Sequence, residues 1–217
     1  MRVNGINVIL TAAHCLYDCN EIFVKMGHYD LSSTHMKEFK VESKIIHFDW
    51  NRKILANDIA LLKVKELTFD NSIKPIALPP NEYFKETVYD YGKKTEIVTV
   101  GWGNTIDYYD KKSNITECVN TGKSMKKCKY LLKVKSKDIN ILQKTNVQLI
   151  NSRSCNHSWT AFGAPTTITK GHLCATSPYS HNSGTCKGDS GGPLMQIESN
   201  LQLQGRIERF FSSRIHY

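Results

Sequence analysis

The stretch 184–194, Gly-Thr-Cys-Lys-Gly-Asp-Ser-Gly-Gly-Pro-Leu, constrains this chain more than any other. It sets one hydroxyl, that of Ser190, among small residues. Glycines at 188, 191 and 192 allow backbone angles that a Cβ forbids, and they let a substrate backbone come close. The amides of Gly188 and Ser190 are then free to point at one spot and hold a developing oxyanion. A serine at its own pKa is a poor nucleophile, so it needs a base, and the base needs an orienting group. The chain has a candidate for each: His14 in Leu10-Thr11-Ala12-Ala13-His14-Cys15, and Asp58 in Asn57-Asp58-Ile59-Ala60-Leu61-Leu62. Alone, an aspartate before an apolar strand reads as a turn residue bonding its own backbone. Beside His14 and Ser190 it reads as the orienting acid.

These segments, in the order His, Asp, Ser, resemble the chymotrypsin/trypsin-like serine endopeptidases. A lone Gly-Asp-Ser-Gly arises by chance; "LTAAHC", "NDIALLKV" and "GDSGGPL" together and in order do not. The resemblance implies an all-β fold of two Greek-key antiparallel barrels with a Ser-His-Asp site between them. It implies His14, Asp58 and Ser190 as catalytic residues, Gly188 and Ser190 as oxyanion donors, and no cofactor. In trypsin-like members an aspartate lies at the pocket floor, six residues before the nucleophile. Here that residue is Gly184, followed by Thr185. A floor without charge offers Arg or Lys no partner, so a non-tryptic preference for apolar or small side chains is expected.

With 217 residues, the chain is long enough to bury a proper core in one domain. It reads as a single peptidase domain. The first barrel is expected over about 1–78, a polar linker over 79–95, and the second barrel over 96–217. Strands are expected at 22–26, 39–42, 45–48, 59–64, 96–103 and 141–149, with residues 3–14 running as a strand into a short turn at His14. Gln202-Leu203-Gln204-Gly205 reads as a further strand. Residues 104–137 form a Lys-rich insertion without clear periodicity, longer than the family's usual loop. Net charge is +9, and much of the excess sits there. A solvated surface loop is the plain reading, with attraction to acidic polymers the sharper one. Neither a basic helix nor an aromatic-interleaved sheet motif accompanies the charge, so nucleic acid is not an expected partner. No apolar run approaches the roughly 20 residues of a membrane helix. Protein or peptide substrates and protease inhibitors are the expected partners, and a monomer the expected state.

Seven cysteines occur, at 15, 19, 118, 128, 155, 174 and 186, with no Cys-x-x-Cys pair to signal zinc. With the protease signature they read as disulfides in an oxidising, extracellular setting. The resemblance pairs Cys155 with Cys174 around a loop and short helix. Cys118 and Cys128 are a candidate staple for the insertion, but on sequence the pairing of Cys15, Cys19, Cys118, Cys128 and Cys186 stays open. Asn114 and Asn156 head the two sequons Asn-Ile-Thr and Asn-His-Ser. No metal is expected: where the family's calcium loop carries a glutamate after glycine, this chain has His28 after Gly27. His28 and His47 read as surface or partly packed side chains.

Both ends depart from the family. The chain starts Met-Arg-Val-Asn-Gly without an export signal, and the expected reading is a sequence lacking its beginning and its last strands. In the family the aspartate before the nucleophile, here Asp189, binds an α-amino group released by activation cleavage. The chain carries no Ile-Val-Gly-Gly segment, so a carboxylate without its partner and a poorly ordered oxyanion hole are expected. An inactive homologue that binds a partner is the alternative reading.

Overall fold

Two apolar stretches, 6–11 and 60–64, meet first and decide where the histidine lies. The computed structural model describes residues 2–3, 5–78, 96–104, 116, 118–128, 140–161, 168, 171–178 and 184–197. In chain order its strands are β1 (Arg2–Val3), β2 (Ile6–Thr11), β3 (Phe23–Met26), β4 (Lys37–Lys40), β5 (Ser43–Ile46), β6 (Ala60–Lys63), β7 (Glu96–Gly101), β8 (Gln143–Ile150), β9 (Cys174–Thr176) and β10 (Leu194–Ile197). A 3-10 helix spans Ala13–Leu16 and an α-helix spans Ser152–Ala161. The class is all-β, as expected, and every strand pairing is antiparallel.

The first sheet has the order β1-β2-β6-β5, with a separate β3–β4 pair. β6 is flanked on both sides: Leu62 lies opposite Ile9 of β2 and Lys44 of β5. Alternation along 60–64 buries Ala60, Leu62 and Val64. Ala60 and Leu62 pack with Ala13 and Leu16 of the 3-10 helix, which seats that helix on the sheet. Val64, Leu67 and Ile73 make a neighbouring cluster, and Ile9 and Val41 pack against both. Each such side chain contributes roughly 1.5–3 kcal/mol when fully buried. Lys44 reaches from β5 to the far end of the 3-10 helix, where its Nζ donates to the carbonyls of Leu16 (2.9 Å) and Cys19 (2.7 Å).

The second sheet has the order β10-β7-β8-β9. Val98 and Thr99 of its inner strand β7 are buried. The Thr99 hydroxyl is satisfied by donating to the Pro193 carbonyl at 3.0 Å, next to β10. Asn151 caps the α-helix: its Oδ1 accepts from Ser154 N at 2.8 Å. Cys155 on that helix is disulfide-bonded to Cys174 on β9, as the resemblance implied. A bridge closing a loop of this length adds roughly 3 kcal/mol in the chain-entropy account. A second disulfide joins Cys118 and Cys128.

Several strand bounds differ from expectation, for one recurring reason. The chain changes hydrogen-bond partner where the apolar pattern continues. β4 ends at Lys40 because Val41 N turns to Ile22 O and Glu42 N to Lys63 O. β5 starts and ends before the expected 45–48, and His47 N bonds Ile59 O as the chain turns. Residue 141 makes only an isolated bridge, to Asp30, before β8 begins at Gln143. The expected strand over 3–14 is broken at Gly5, which takes a positive φ of 79°, and His14 lies on a 3-10 helix rather than in a simple turn. The linker 79–95, the insertion residues 105–115 and 129–139, Asn114 and the expected strand 202–205 lie outside the described residues.

Leu62 carries the contact between sheet and helix, so Leu62→Ala should lower the unfolding free energy by about 2–5 kcal/mol, read from urea denaturation with the m-value unchanged.

Candidate active site

The 3-10 helix places His14 one turn beyond β2, and the chain entering β6 places Asp58 beside it. Asp58 uses both oxygens on this one residue. Its Oδ2 lies 2.6 Å from His14 Nδ1, and its Oδ1 accepts from His14 N at 2.8 Å. The acid is nearly buried, with its side chain 9% exposed against 32% for the imidazole. Asn57 supports the approach with a positive φ of 56° and a side-chain bond from Nδ2 to Asp49 O at 3.1 Å. The Asp58 hydrogen bond, with a smaller contribution from the Cys15 thiol, raises the His14 pKa from 6.5 to about 10, against the opposing effect of burial.

Ser190 arrives from the second sheet. Its loop is two successive turns, closed by Asp189 N to Cys186 O and Gly192 N to Asp189 O, both 3.0 Å. Gly188 and Gly191 hold positive φ of 105° and 80°. At 191 a Cβ would collide with Thr11 Oγ1 at the end of β2 and crowd Ala12 N, so the loop lies directly against the segment carrying His14. Cys15 is the side chain between them. Its Sγ is 3.6 Å from His14 Nε2 and 3.6 Å from the Ser190 carbonyl, to which it donates. No hydrogen bond joins the Ser190 hydroxyl to His14 Nε2 among the described residues. The Gly188 and Ser190 amides likewise donate to no described residue. Catalytic hydrogen bonds often tighten only around substrate.

Asp189, expected from sequence to lack an α-amino partner, has both carboxylate oxygens engaged by backbone amides. Its Oδ1 accepts from Gly103 N at 2.7 Å and its Oδ2 from Cys186 N at 2.8 Å. Glycine at 101 and 103 makes room for it, since a Cβ at either position would run into the carboxylate. The partner, 86 residues away, was not visible in the sequence. Gly184 is exposed with open space where a Cβ would stand, and Thr185 is half-buried. Lys187 is exposed, and its carbonyl accepts from Asn104 N at 2.8 Å.

Two further contacts went unread in the sequence. Cys15 sits at the base, and His172, buried in the second half of the chain, has its Nε2 3.3 Å from the carbonyl of Leu55, just before Asp58. Cys15 and Cys19 are not bridged; the Cys19 thiol instead donates to the Cys15 carbonyl at 3.6 Å. Asn156 lies within the α-helix with its Oδ1 accepting from Ile168 N at 3.3 Å. His28 and His47 each accept a backbone N–H in their own loops, from Asp30 at 3.0 Å and Asp49 at 3.1 Å.

Because the folded His14 pKa exceeds the unfolded value of 6.5, the pair stabilises the fold most below pH 6.5. That contribution fades as pH rises toward about 10. In an NMR titration the His14 ring should hold its proton well above pH 6.5, and Asp58→Asn should bring its titration down toward that value.

The Trypsin family model matches residues 3–141 and 134–208, most of the chain. A venom serine protease, Bi-VSP, of Bombus ignitus is 28% identical over 193 residues, 86% of this chain and 44% of its own length. Trypsin-1 of Astacus astacus is 29% identical over 196 residues, 87% of this chain and 66% of its own. Vitamin K-dependent protein C of Oryctolagus cuniculus is 36% identical over 98 residues, 44% of this chain and 21% of its own. The chain thus spans less than two thirds of each of these relatives. Among the described residues no helix is long and apolar enough to cross a membrane. With this match over most of its length, the chain belongs to the trypsin-like serine peptidase family.

Proposed function

We propose that the protein is a secreted serine endopeptidase that hydrolyses peptide bonds through an acyl-enzyme. The observation that carries this reading is the grip of Asp58 on both the ring and the main chain of His14, with the Ser190 loop laid against the same segment. At a pH high enough to leave His14 Nε2 without its proton, Ser190 Oγ attacks the substrate carbonyl carbon while that nitrogen takes the hydroxyl proton. The tetrahedral oxyanion is held by the Gly188 and Ser190 amides, each donor contributing roughly 3 kcal/mol. His14 then gives the proton to the departing amine, and the C–N bond breaks. Water attacks the ester by the same route, returning the proton to Ser190. Asp58 keeps Nδ1 protonated throughout and stabilises the imidazolium. Every step uses groups of this chain, so no cofactor is invoked.

An uncharged pocket floor at Gly184 supports cleavage after apolar or small residues rather than after Arg or Lys. Polypeptides are the substrates on this reading and protease inhibitors the natural antagonists. The monomer and the extracellular setting rest on the family and the two disulfides.

A fluorophosphonate probe should label the folded, disulfide-bonded protein at Ser190, and Ser190→Ala should abolish labelling. A folded sample that takes no label would instead support a binding homologue. In peptide hydrolysis, Asp58→Asn should lower kcat by about 10⁴, because the imidazole loses its orienting acid. A matched peptide series should show kcat/KM higher for apolar or small residues before the scissile bond than for Arg or Lys.

A further inference from the structure

Three consecutive residues after β7 each hold a different part of the molecule. The indole Nε1 of Trp102 donates to the Tyr29 carbonyl at 2.9 Å. The Gly103 amide donates to Asp189 Oδ1 at 2.7 Å, and the Asn104 amide to the Lys187 carbonyl at 2.8 Å. The first contact reaches into the first half of the chain; the other two grip the nucleophile loop on either side of Gly188. The Tyr29 carbonyl is a fixed point without Trp102. It also accepts from Leu142 N at 2.8 Å, Leu31 N donates to Asn140 O at 2.8 Å, and Asp30 bridges Ile141. The anchor therefore stands when the indole lets go, whereas residues 102–104 lose their tie to it.

We infer that Trp102 is a positioning residue for the nucleophile loop. Its indole N–H suspends residues 102–104 from the Tyr29 carbonyl. Through the Gly103 and Asn104 amides, that suspension sets Asp189 and Lys187, and so the direction of the Gly188 amide between them and of the Ser190 amide that follows. The space is tight enough to transmit position: a Cβ at 188 would lie 3.0 Å from Gly103 Cα, and one at 103 only 2.5 Å from Asp189 Cγ. A close-packed contact of this kind passes displacement on rather than absorbing it. The effect on loop order stands by itself; the effect on catalysis rests on the function proposed above.

The test is hydrogen exchange by mass spectrometry on the wild type and Trp102→Phe. Amides at 186, 189 and 192 are hydrogen-bonded within the loop and report on it. Peptides covering 186–192 should exchange at least about tenfold faster in the variant, while those covering 29–31, 140–142 and 60–64 stay at wild-type rates. In parallel, the fluorophosphonate's maximal inactivation rate should fall about tenfold or more with its reversible binding constant within about twofold, because transition-state donors are displaced and the binding surface is not. Unchanged exchange over 186–192 overturns the inference, and so does acceleration spread evenly over all four regions, which marks a merely structural side chain. If Trp102→Phe does not fold, benzothienylalanine at position 102 keeps the bicyclic ring and removes only the N–H, and the same criteria apply. A wild type that takes no label defeats the proposed peptidase, while the exchange result still decides this one.

Discussion

Asp58 spends both carboxylate oxygens on one residue, and the rest of the site is arranged around that choice. A carboxylate bonded only to the ring would let the imidazole swing with its 3-10 helix. By also accepting from the His14 amide, it ties ring, main chain and helix start into one unit. A nearly buried charge is tolerable only when its lone pairs are this well used. The acid is itself held by its place at the entry to β6, a strand flanked on both sides in its sheet. The pKa of His14 is thus a consequence of how two strands and a short helix pack.

The nucleophile side is built on a different principle. No ion pair anchors Ser190 among the described residues. Its loop is placed by exclusion, through positions where only hydrogen fits: Gly191 against Thr11, Gly188 against Gly103, and Gly101 and Gly103 around Asp189. Asp189 meets two backbone amides in the space they leave. Backbone donors of this kind cannot be removed by changing a side chain. The arrangement is correspondingly sensitive to added bulk.

The site was legible in the sequence where short, strict local patterns carry it. "LTAAHC" needs small residues because the loop of Ser190 passes over Thr11 and Ala12, and "GDSGGPL" needs glycine for its positive φ. The Cys155–Cys174 bridge was legible through the family. What could not be read is what depends on residues far apart meeting edge to edge. The Cys15 thiol at the base, the cradle of Asp189, and the contact of His172 with Leu55 leave no mark in spacing or composition. Strand bounds slipped where the apolar pattern outran the ladder, as at Val41 and Ile141. At Val41 the backbone leaves one neighbour for another while the side chain still packs on both core clusters, whereas Ile141 is exposed.

Lys44 links two quantities usually treated apart. It stands on β5 opposite Leu62, and its ammonium closes the carbonyl end of the helix that carries His14. Side chains alternate faces along a strand, so sliding β5 by a single residue would carry this ammonium to the opposite side of the sheet. The helix would then lose its terminal donor. Any sequence drift that relaxes the alignment of that edge strand is therefore felt at the carbonyl end of the helix that carries His14.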